Sequence, residues 1–460
     1  MLKNIHTFLL LSTLISQLAL ARTSHAEVTI SSLPFRCDRN GETYTLKTPL
    51  TASSGPAIEI LAQNIILDGL DNTITYATTA PGTAIQITTN VKNVQITRLS
   101  IVQGPAGGPA ISIRAPGISA LAVTYCQVQL LEKAANGIEI CDTREDSDSL
   151  DISRNAIILN PKAGTAGHAI LIDASSAAKV TGRITENTIT MGPQLSSQYP
   201  SCLSLLDAHG PIEIASNNLV MNQGDTGQGI RLWNSDGHLI HHNSILMNGA
   251  HMRGILIDGG SDYNRIYDNT VLMRTLSGGA SAGIRVRYAS SHNLFYTNTI
   301  DASSAQEGYA IRYGGSQSTS PQGPPSHNEF FSNTLISSSR AISIEESSSD
   351  TLFYCNSVSA VGPGYPLYFY ATDAQPVSNL SFSYDEFKTP QAFSGIFNGT
   401  GSPYSNVLFC SCRFSSGPPD QRSFSGIHLI ESGCPAGPCS QDTPDTQPPG
   451  IPTGLRVLPP

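Results

Sequence analysis

Apolar and polar positions alternate in short runs along most of this chain, and the runs are joined by polar bends of one recurring type. Ile240-His-His-Asn243-Ser-Ile245, Ile266-Tyr-Asp-Asn269-Thr-Val271, Phe295-Tyr-Thr-Asn298-Thr-Ile300, Phe330-Phe-Ser-Asn333-Thr-Leu335 and Phe353-Tyr-Cys-Asn356-Ser-Val358 share the pattern I-x-x-N-x-I. The same frame fits Asn155, Asn187 and Asn217 upstream. Leu99 and Cys126 take the Asn position earlier, Asp385 and Cys412 take it later, and Asn72 stands at the entrance. Consecutive positions lie 23 to 35 residues apart. Asn tolerates left-handed backbone and hydrogen-bonds locally, so an Asn between two apolar anchors marks a tight bend between short strands. Stacked bends would let each Asn amide bond the next.

A second pattern falls between successive Asn positions: Ala84-Ile-Gln-Ile87, Gly137-Ile-Glu-Ile140, Ala169-Ile-Leu-Ile172, Gly229-Ile-Arg-Leu232, Gly254-Ile-Leu-Ile257, Gly283-Ile-Arg-Val286 and Ala341-Ile-Ser-Ile344. Period-two alternation of this kind is a strand with one buried face. Each repeat therefore carries three strands: the (G/A)-I-x-I strand, one entering the Asn bend and one leaving it. Repeats of this length stack as a solenoid. The expected fold is all-β, a right-handed single-stranded parallel β-helix of about thirteen coils with three parallel sheets. At a strand spacing of about 4.8 Å, such a rod is on the order of 60 Å long. Val, Ile and Thr enrichment argues against a helical repeat. Length variation falls in loops, notably Met191 to Cys202 and Gly314 to His327.

These repeats resemble those of the pectate-lyase-like β-helix superfamily, including NosD-like and carbohydrate-binding sugar-hydrolase repeat proteins. The resemblance covers roughly Ile58 to Ile430. The segment with Cys37, Tyr44-Thr-Leu46 and Ile65-Ile-Leu-Asp68-Gly69 also looks like a first coil of such proteins. The resemblance implies a polysaccharide-handling scaffold whose substrates lie along the (G/A)-I-x-I sheet. It implies no particular reaction, since unrelated chemistries share the scaffold.

The chain begins Met1-Leu2-Lys3-Asn4, continues with an apolar run from Phe8 to Leu20, and reaches Ser24-His25-Ala26 before Glu27, the pattern of an export signal cleaved near Ala26. The expected organisation is a signal peptide over 1–26, an N-terminal cap over 27–55, the β-helix over 56–432 and a Pro/Ser/Asp-rich tail over 433–460. The tail ends in Pro452-Thr-Gly-Leu-Arg-Val457, which resembles the start of a fibronectin type III domain. No later stretch is long and apolar enough for a transmembrane segment. The protein is therefore expected to be secreted: extracellular, periplasmic or on the cell surface.

Charged residues make up only 13% of the chain and the net charge is −9. Seven lysines are present, none between Lys179 and Lys388, so nucleic acid is not an expected partner. Nine cysteines, an odd number, leave at least one free or paired between chains. Cys434 and Cys439 could close a small loop after the last coil.

Alternation places two columns on the outer face of the (G/A)-I-x-I sheet. The central column runs Glu139, Leu171, Ser204, Arg231, Leu256, Arg285, Arg312, Ser343 and Tyr368; the next runs Cys141, Asp173, Leu206, Trp233, Asp258, Arg287, Gly314, Glu345 and Tyr370. Arg231, Trp233, Asp258, Arg285, Arg287 and Arg312 gather the only tryptophan with four arginines and a carboxylate. Arginine pairs carboxylates in bidentate fashion, and an aromatic ring offers a platform to a sugar, so an acidic polysaccharide suits this face. Arg231, Trp233, Arg312, Tyr368 and Tyr370 are the candidate substrate-binding residues.

An eliminative lyase needs a base and a group that neutralises the neighbouring carboxylate. Arg285 or Arg287 could be the base, with Asp258 as the third catalytic candidate. Asp173 and Asp258 could hold calcium, a cation that takes oxygen ligands. The lysine base of some lyases of this fold, the grouped aspartates of polygalacturonase-type hydrolases and the Asp-Pro-His-Asp motif of alginate epimerases are absent, so no family catalytic residue carries over. The expected function is therefore a protein that acts on acidic polysaccharide, as a lyase, hydrolase or epimerase, or a non-catalytic glycan-binding or adhesin rod. A further column, His241, Tyr267, Tyr296, Phe331 and Tyr354, stands two residues before the Asn bend. It could bind glycan or only stabilise the sheet by stacking. His238, His241, His242 and His251 invite a metal reading, but alternation sends neighbouring side chains to different faces. The acidic loop Asp142 to Asp148 lacks the spacing and glycine of a calcium loop.

Overall fold

The computed structural model describes residues 26–162, 167–174, 178–192, 199–222, 226–274, 279–314, 323–345, 348–370, 377–389, 404–415 and 427–430. Residues 1–25, which fall in the segment expected to be an export signal, and the tail with Cys434 and Cys439 lie outside them, as do parts of the two long loops. Among the described residues there are strands and no helix, and every strand pairing is parallel. The chain divides into two compact units, Met1–Leu239 and Ile240–Pro460.

Each unit is a parallel β-solenoid of three sheets, the right-handed β-helix that the repeats require. In the first unit the (G/A)-I-x-I sheet holds eight strands from Phe35–Cys37 to Gly227–Trp233; in the second it holds five, from Met252–Asp258 to Tyr365–Phe369. The pre-bend and post-bend sheets flank the Asn corner in both units. Residues expected to cap the solenoid contribute strands to the same sheets: Glu27–Ile30 pairs with Thr43–Leu46, and Phe35–Cys37 with Ile58–Ile60.

The core follows from in-register stacking of like residues. Ile111, Ile138, Ile170 and Leu203 stack across the first unit, and Ile255, Ile284, Ile311 and Ile342 across the second, all fully buried. Five phenylalanines form one inner file, with Phe295 on Phe330 at 4.4 Å and Phe353, Phe382 and Phe409 following at 4.8 Å intervals.

At the corner, Asn155 Nδ2 donates to Asn187 Oδ1 at 3.0 Å, and Asn187 Nδ2 donates to Asn217 Oδ1 at 2.9 Å. In the second unit the chain of donors runs Asn243, Asn269, Asn298, Asn333, Asn356 and ends on Asp385. Asn187, Asn217, Asn269, Asn298, Asn333 and Asn356 also accept the main-chain N–H of the Asn before them, Asn155 accepts that of Cys126, and several donate to a carbonyl one coil back, as Asn298 does to Ile266 O. The left-handed residue of the bend is not the Asn, as expected, but the one before it: Arg154, Glu186, Ser216, His242, Asp268, Thr297, Ser332, Cys355 and Tyr384 have φ between 51° and 59°. Left-handed backbone costs a non-glycine residue roughly 1–2 kcal/mol. The buried amide ladder offsets that cost by satisfying main-chain groups that the corner withdraws from water.

No helix among the described residues is long and apolar enough to cross a membrane. Cys355 and Cys410 are disulfide-bonded. Cys37, Cys126, Cys141, Cys202 and Cys412 carry free thiols, which fits the odd cysteine count.

Candidate functional site

The outer face of the (G/A)-I-x-I sheet in the second unit carries three columns, not two. Leu256, Arg285, Arg312, Ser343 and Tyr368 are in register, as expected of the central column. Asp258, Arg287, Gly314, Glu345 and Tyr370 follow two residues later. The third column is Arg253, Ala282, Tyr309, Arg340 and Tyr365, the first four of them one residue before a small Gly or Ala. Strict alternation from the Ile positions would turn this column inward. The glycine prevents it. A Cβ on Gly254 would meet the core atom Val271 Cγ1 at 2.4 Å, and one on Gly283 would meet Ile300 Cγ2 at 2.1 Å. Small residue and Ile thus both face the core, and the residue before them turns to the outer side of the sheet, where Arg253 and Arg340 are half-buried and Ala282 and Tyr309 are buried.

Five guanidinium groups stand in these columns, on four successive strands, against two carboxylates. Asp258 is 0% exposed; its Oδ2 accepts from Arg287 Nε at 2.9 Å and Nη2 at 2.6 Å, and its Oδ1 accepts from Gly259 N–H at 2.9 Å. The Arg287 guanidinium also lies 4.5 Å from the Tyr288 ring. Glu345 is bound by Arg312 Nε and lies 3.8 Å from Arg285 Nη2. Arg340 donates to the Tyr309 hydroxyl at 3.0 Å and sits 3.8 Å over the Tyr368 ring. Arg312 lies 5.4 Å from the Tyr309 ring. Tyr370 is exposed beside them.

Arg285 is the least exposed of the five. Burial, with Arg312 next in weight, pushes its guanidinium down to about 9. Its Nε has no hydrogen-bond acceptor.

The remaining candidates lie in the first unit. The guanidinium of Arg231 stacks on Trp233 at 5.2 Å, and its charge, after burial, helps push His168 down to about 4. Ser204, in register with Arg231, is buried with a hydroxyl that has no partner. Asp173 is held above the usual carboxylate range by burial and then by Asp207 and Asp142. Among the described residues no group of three or more His, Cys, Asp or Glu is gathered to hold a metal ion. Asp258, with its oxygens engaged by Arg287 and Gly259, offers little to a cation. His238 is fully buried, accepts from Ile212 N–H at 3.2 Å and contacts Ala208 O at 3.0 Å, so it closes a corner.

The outer aromatic column of the second unit is a continuous stack. His241, Tyr267, Tyr296, Phe331 and Tyr354 follow at 4.7 to 4.9 Å with planes within 15° of parallel. Ring faces are covered by neighbouring rings, so the column presents edges to solvent. Sugar stacking needs faces, and the stack serves the sheet.

A second stack and a second amide ladder were missed. Tyr263, His292 and His327 stack at 5.0 Å intervals on the corner between the (G/A)-I-x-I and pre-bend sheets. Directly behind them Asn264 Nδ2 donates to Asn293 Oδ1 and Asn293 Nδ2 to Asn328 Oδ1, each at 3.0 Å. The recurring aromatic-Asn pair, Tyr263-Asn264, His292-Asn293 and His327-Asn328, is the signal that could have found them.

The fold and the face together define a parallel β-helix repeat protein with a cationic, tyrosine-lined sheet. The profile of a family described as periplasmic copper-binding protein (NosD) matches residues 132–358. No curated protein matches the sequence. Among solved structures the chain is similar to the Dettilon tailspike protein (gp208), at 12% identity and a TM-score of 0.33, over 85% of this chain and 62% of that one. It is also similar to a PL6 alginate lyase in complex with a trisaccharide, at 12% identity and a TM-score of 0.40, over 89% of each chain. The chain thus spans less than two thirds of the tailspike's length.

Proposed function

We propose that this is an exported protein that binds an acidic polysaccharide along the arginine and tyrosine face of its second unit. The observation that carries the reading is the excess of cations: Arg253, Arg285, Arg287, Arg312 and Arg340 share three columns with only Asp258 and Glu345. Arginine's planar fork suits carboxylate and sulfate groups, and the exposed Tyr370 supplies the apolar and hydroxyl contact that a sugar ring uses, while the buried Tyr309 and Tyr368 hold Arg340 in place. Binding without hydrolysis is favoured, because glycoside hydrolysis uses two carboxyl groups flanking the bond. Here both are already bound by arginine.

A second reading, an eliminative lyase, rests on the setting of Arg285, which is 8% exposed with an Nε–H that no acceptor meets, so that burial lowers its proton affinity from the usual guanidinium value. Titration calorimetry with polygalacturonate, alginate, heparin and neutral dextran tests the binding. Tight binding of an anionic polymer and none of dextran is expected, and equal affinity for dextran would refute the reading. The same mixtures, with calcium and with chelator, report unsaturated ends by ultraviolet absorbance and new reducing ends by colour. A rise in absorbance lost in Arg285→Met would turn the assignment to the lyase, and a calcium requirement would restore Asp173 or Asp258 as ligands.

A further inference from the structure

Within this face the side chains are not equally provided for. A guanidinium carries five N–H donors and is costly to bury unless acceptors meet them. Arg287 has that provision in Asp258. Arg312 has it in Glu345. Arg285 is buried to 8% exposure, its Nε–H has no acceptor, and among the described residues its one ion pair is the 3.8 Å approach to Glu345, longer than a hydrogen bond. Two strands further on, the Ser343 hydroxyl is fully buried and equally without a partner. The central column thus holds two unsatisfied donor groups on either side of Arg312, and one carboxylate shared between two arginines.

An arrangement short of one acceptor on a cationic face is provisioned for an anion that arrives from outside. We infer that Arg285 is the anchoring subsite for one oxyanion substituent of the polymer, a carboxylate or a sulfate ester, and that Glu345 is the internal competitor which that group displaces. The inference rests on the glycan-binding reading above and deepens it. In the free protein Glu345 keeps the two guanidinium groups from repelling each other. When an oxyanion enters, it accepts from Arg285 and Arg312 together, and the Glu345 carboxylate yields its place. Selectivity follows. A neutral sugar cannot displace Glu345, and a polymer gains only where its charged group reaches the centre of the sheet.

The test uses the whole chain and two kinds of probe. Small oxyanions, inorganic sulfate and glucuronate, are titrated against the Nε–Hε nuclear magnetic resonance signals of arginine, and Arg285 is expected to shift first and furthest. Heparin, which carries sulfate and carboxylate, and fully desulfated heparin, which carries carboxylate alone, are titrated by calorimetry. The Glu345→Gln variant is expected to bind both sulfate and heparin about tenfold more tightly, with that gain abolished in the double variant Glu345→Gln, Arg285→Met. Weaker or unchanged binding by Glu345→Gln overturns the inference, as does an Arg285 signal that sulfate and glucuronate leave in place. The two proposals fail differently. Sulfate that shifts Arg285 while no polymer binds removes the polysaccharide reading and keeps the subsite. Heparin that binds without moving Arg285 removes the subsite and keeps the face. Desulfated heparin decides between the substituents: retained affinity assigns carboxylate, and lost affinity assigns sulfate.

Discussion

Replacing Asp385 by asparagine should stabilise the second unit, and the gain should depend on pH in a way that few single substitutions produce. Asp385 is the last rung of the amide ladder, 1% exposed. Its Oδ1 accepts the main-chain N–H of Asn356 at 2.8 Å and the Asn356 Nδ2 at 2.9 Å, but its Oδ2 has no partner. At the rungs before it, Asn333 Nδ2 donates to Phe295 O and Asn356 Nδ2 to Phe330 O, one coil back. By that pattern the group at 385 faces Phe353 O, and an ionised carboxylate has no hydrogen to give it. Burial accordingly pushes Asp385 from 3.8 up to about 7, against the opposing hydrogen bonds from Asn356 and Ser383. A displacement of that size is worth on the order of 4 kcal/mol.

The direction of the effect follows from proton linkage. Below pH 4 the carboxyl is neutral both folded and unfolded, and nothing is lost. Between about 4 and 7 the folded chain binds the extra proton, so stability falls as pH rises, and above 7 the penalty is complete. Asp385→Asn supplies the missing donor at every pH. Urea unfolding followed by tyrosine fluorescence should show a higher midpoint for the variant at pH 8, by an amount approaching that figure, and little difference at pH 4. A gain of equal size at both pH values, or none at pH 8, would falsify the account.

Four further outcomes are expected. Arg287→Ala should destabilise the second unit by about 3–5 kcal/mol because it leaves Asp258 buried and unpaired, whereas Asp258→Asn with Arg287→Ala together should recover much of that loss in the same unfolding assay. Asn298→Ala strands the donors of Asn269 and the Ile266 carbonyl and should cost about 3 kcal/mol or more, given about 1–3 for each buried group left unsatisfied. Phe330→Ala, in the middle of the inner phenylalanine file, should cost about 3–5 kcal/mol by the ordinary cavity rule. Tyr296→Leu, in the outer stack, should lower stability by no more than about 1 kcal/mol and leave polysaccharide affinity untouched; a marked loss of affinity would return that column to the binding surface.

Much of the architecture can be read from the chain because a solenoid repeats its instructions. The Asn frame and the I-x-I strand recur often enough that their spacing alone orders the coils, and the ladder from Asn243 to Asp385 follows directly. Two features escaped for physical reasons. Counting inward and outward positions by strict alternation fails at the (G/A)-I pair, where two consecutive residues face the core. Arg253, Tyr309 and Arg340 were therefore passed over, although they complete the cationic face. Charge pattern on a strand also does not reveal who is paired with whom. Asp258 and Arg287 belong to different coils, 29 residues apart, and only their register shows that the carboxylate proposed for calcium or catalysis is already bound by one of the two arginines proposed as base. The second amide ladder was legible in the aromatic-Asn pairs but lay outside the frame chosen to define the repeat.

The amide ladder has one more property. Every interior rung from Asn269 to Asn356 makes the same kinds of bond to the rung before and the rung after, so nothing in the chemistry of one rung records its place in the series. Duplication of a whole coil would leave each contact satisfied and merely extend the file, while loss of a residue inside a strand or bend would misalign that coil alone, since spacings of 23 to 35 residues already sit on one unbroken ladder. Such a scaffold can change its length in evolution by entire turns without relearning how to fold, and each added turn brings fresh outward positions on which a surface can be written.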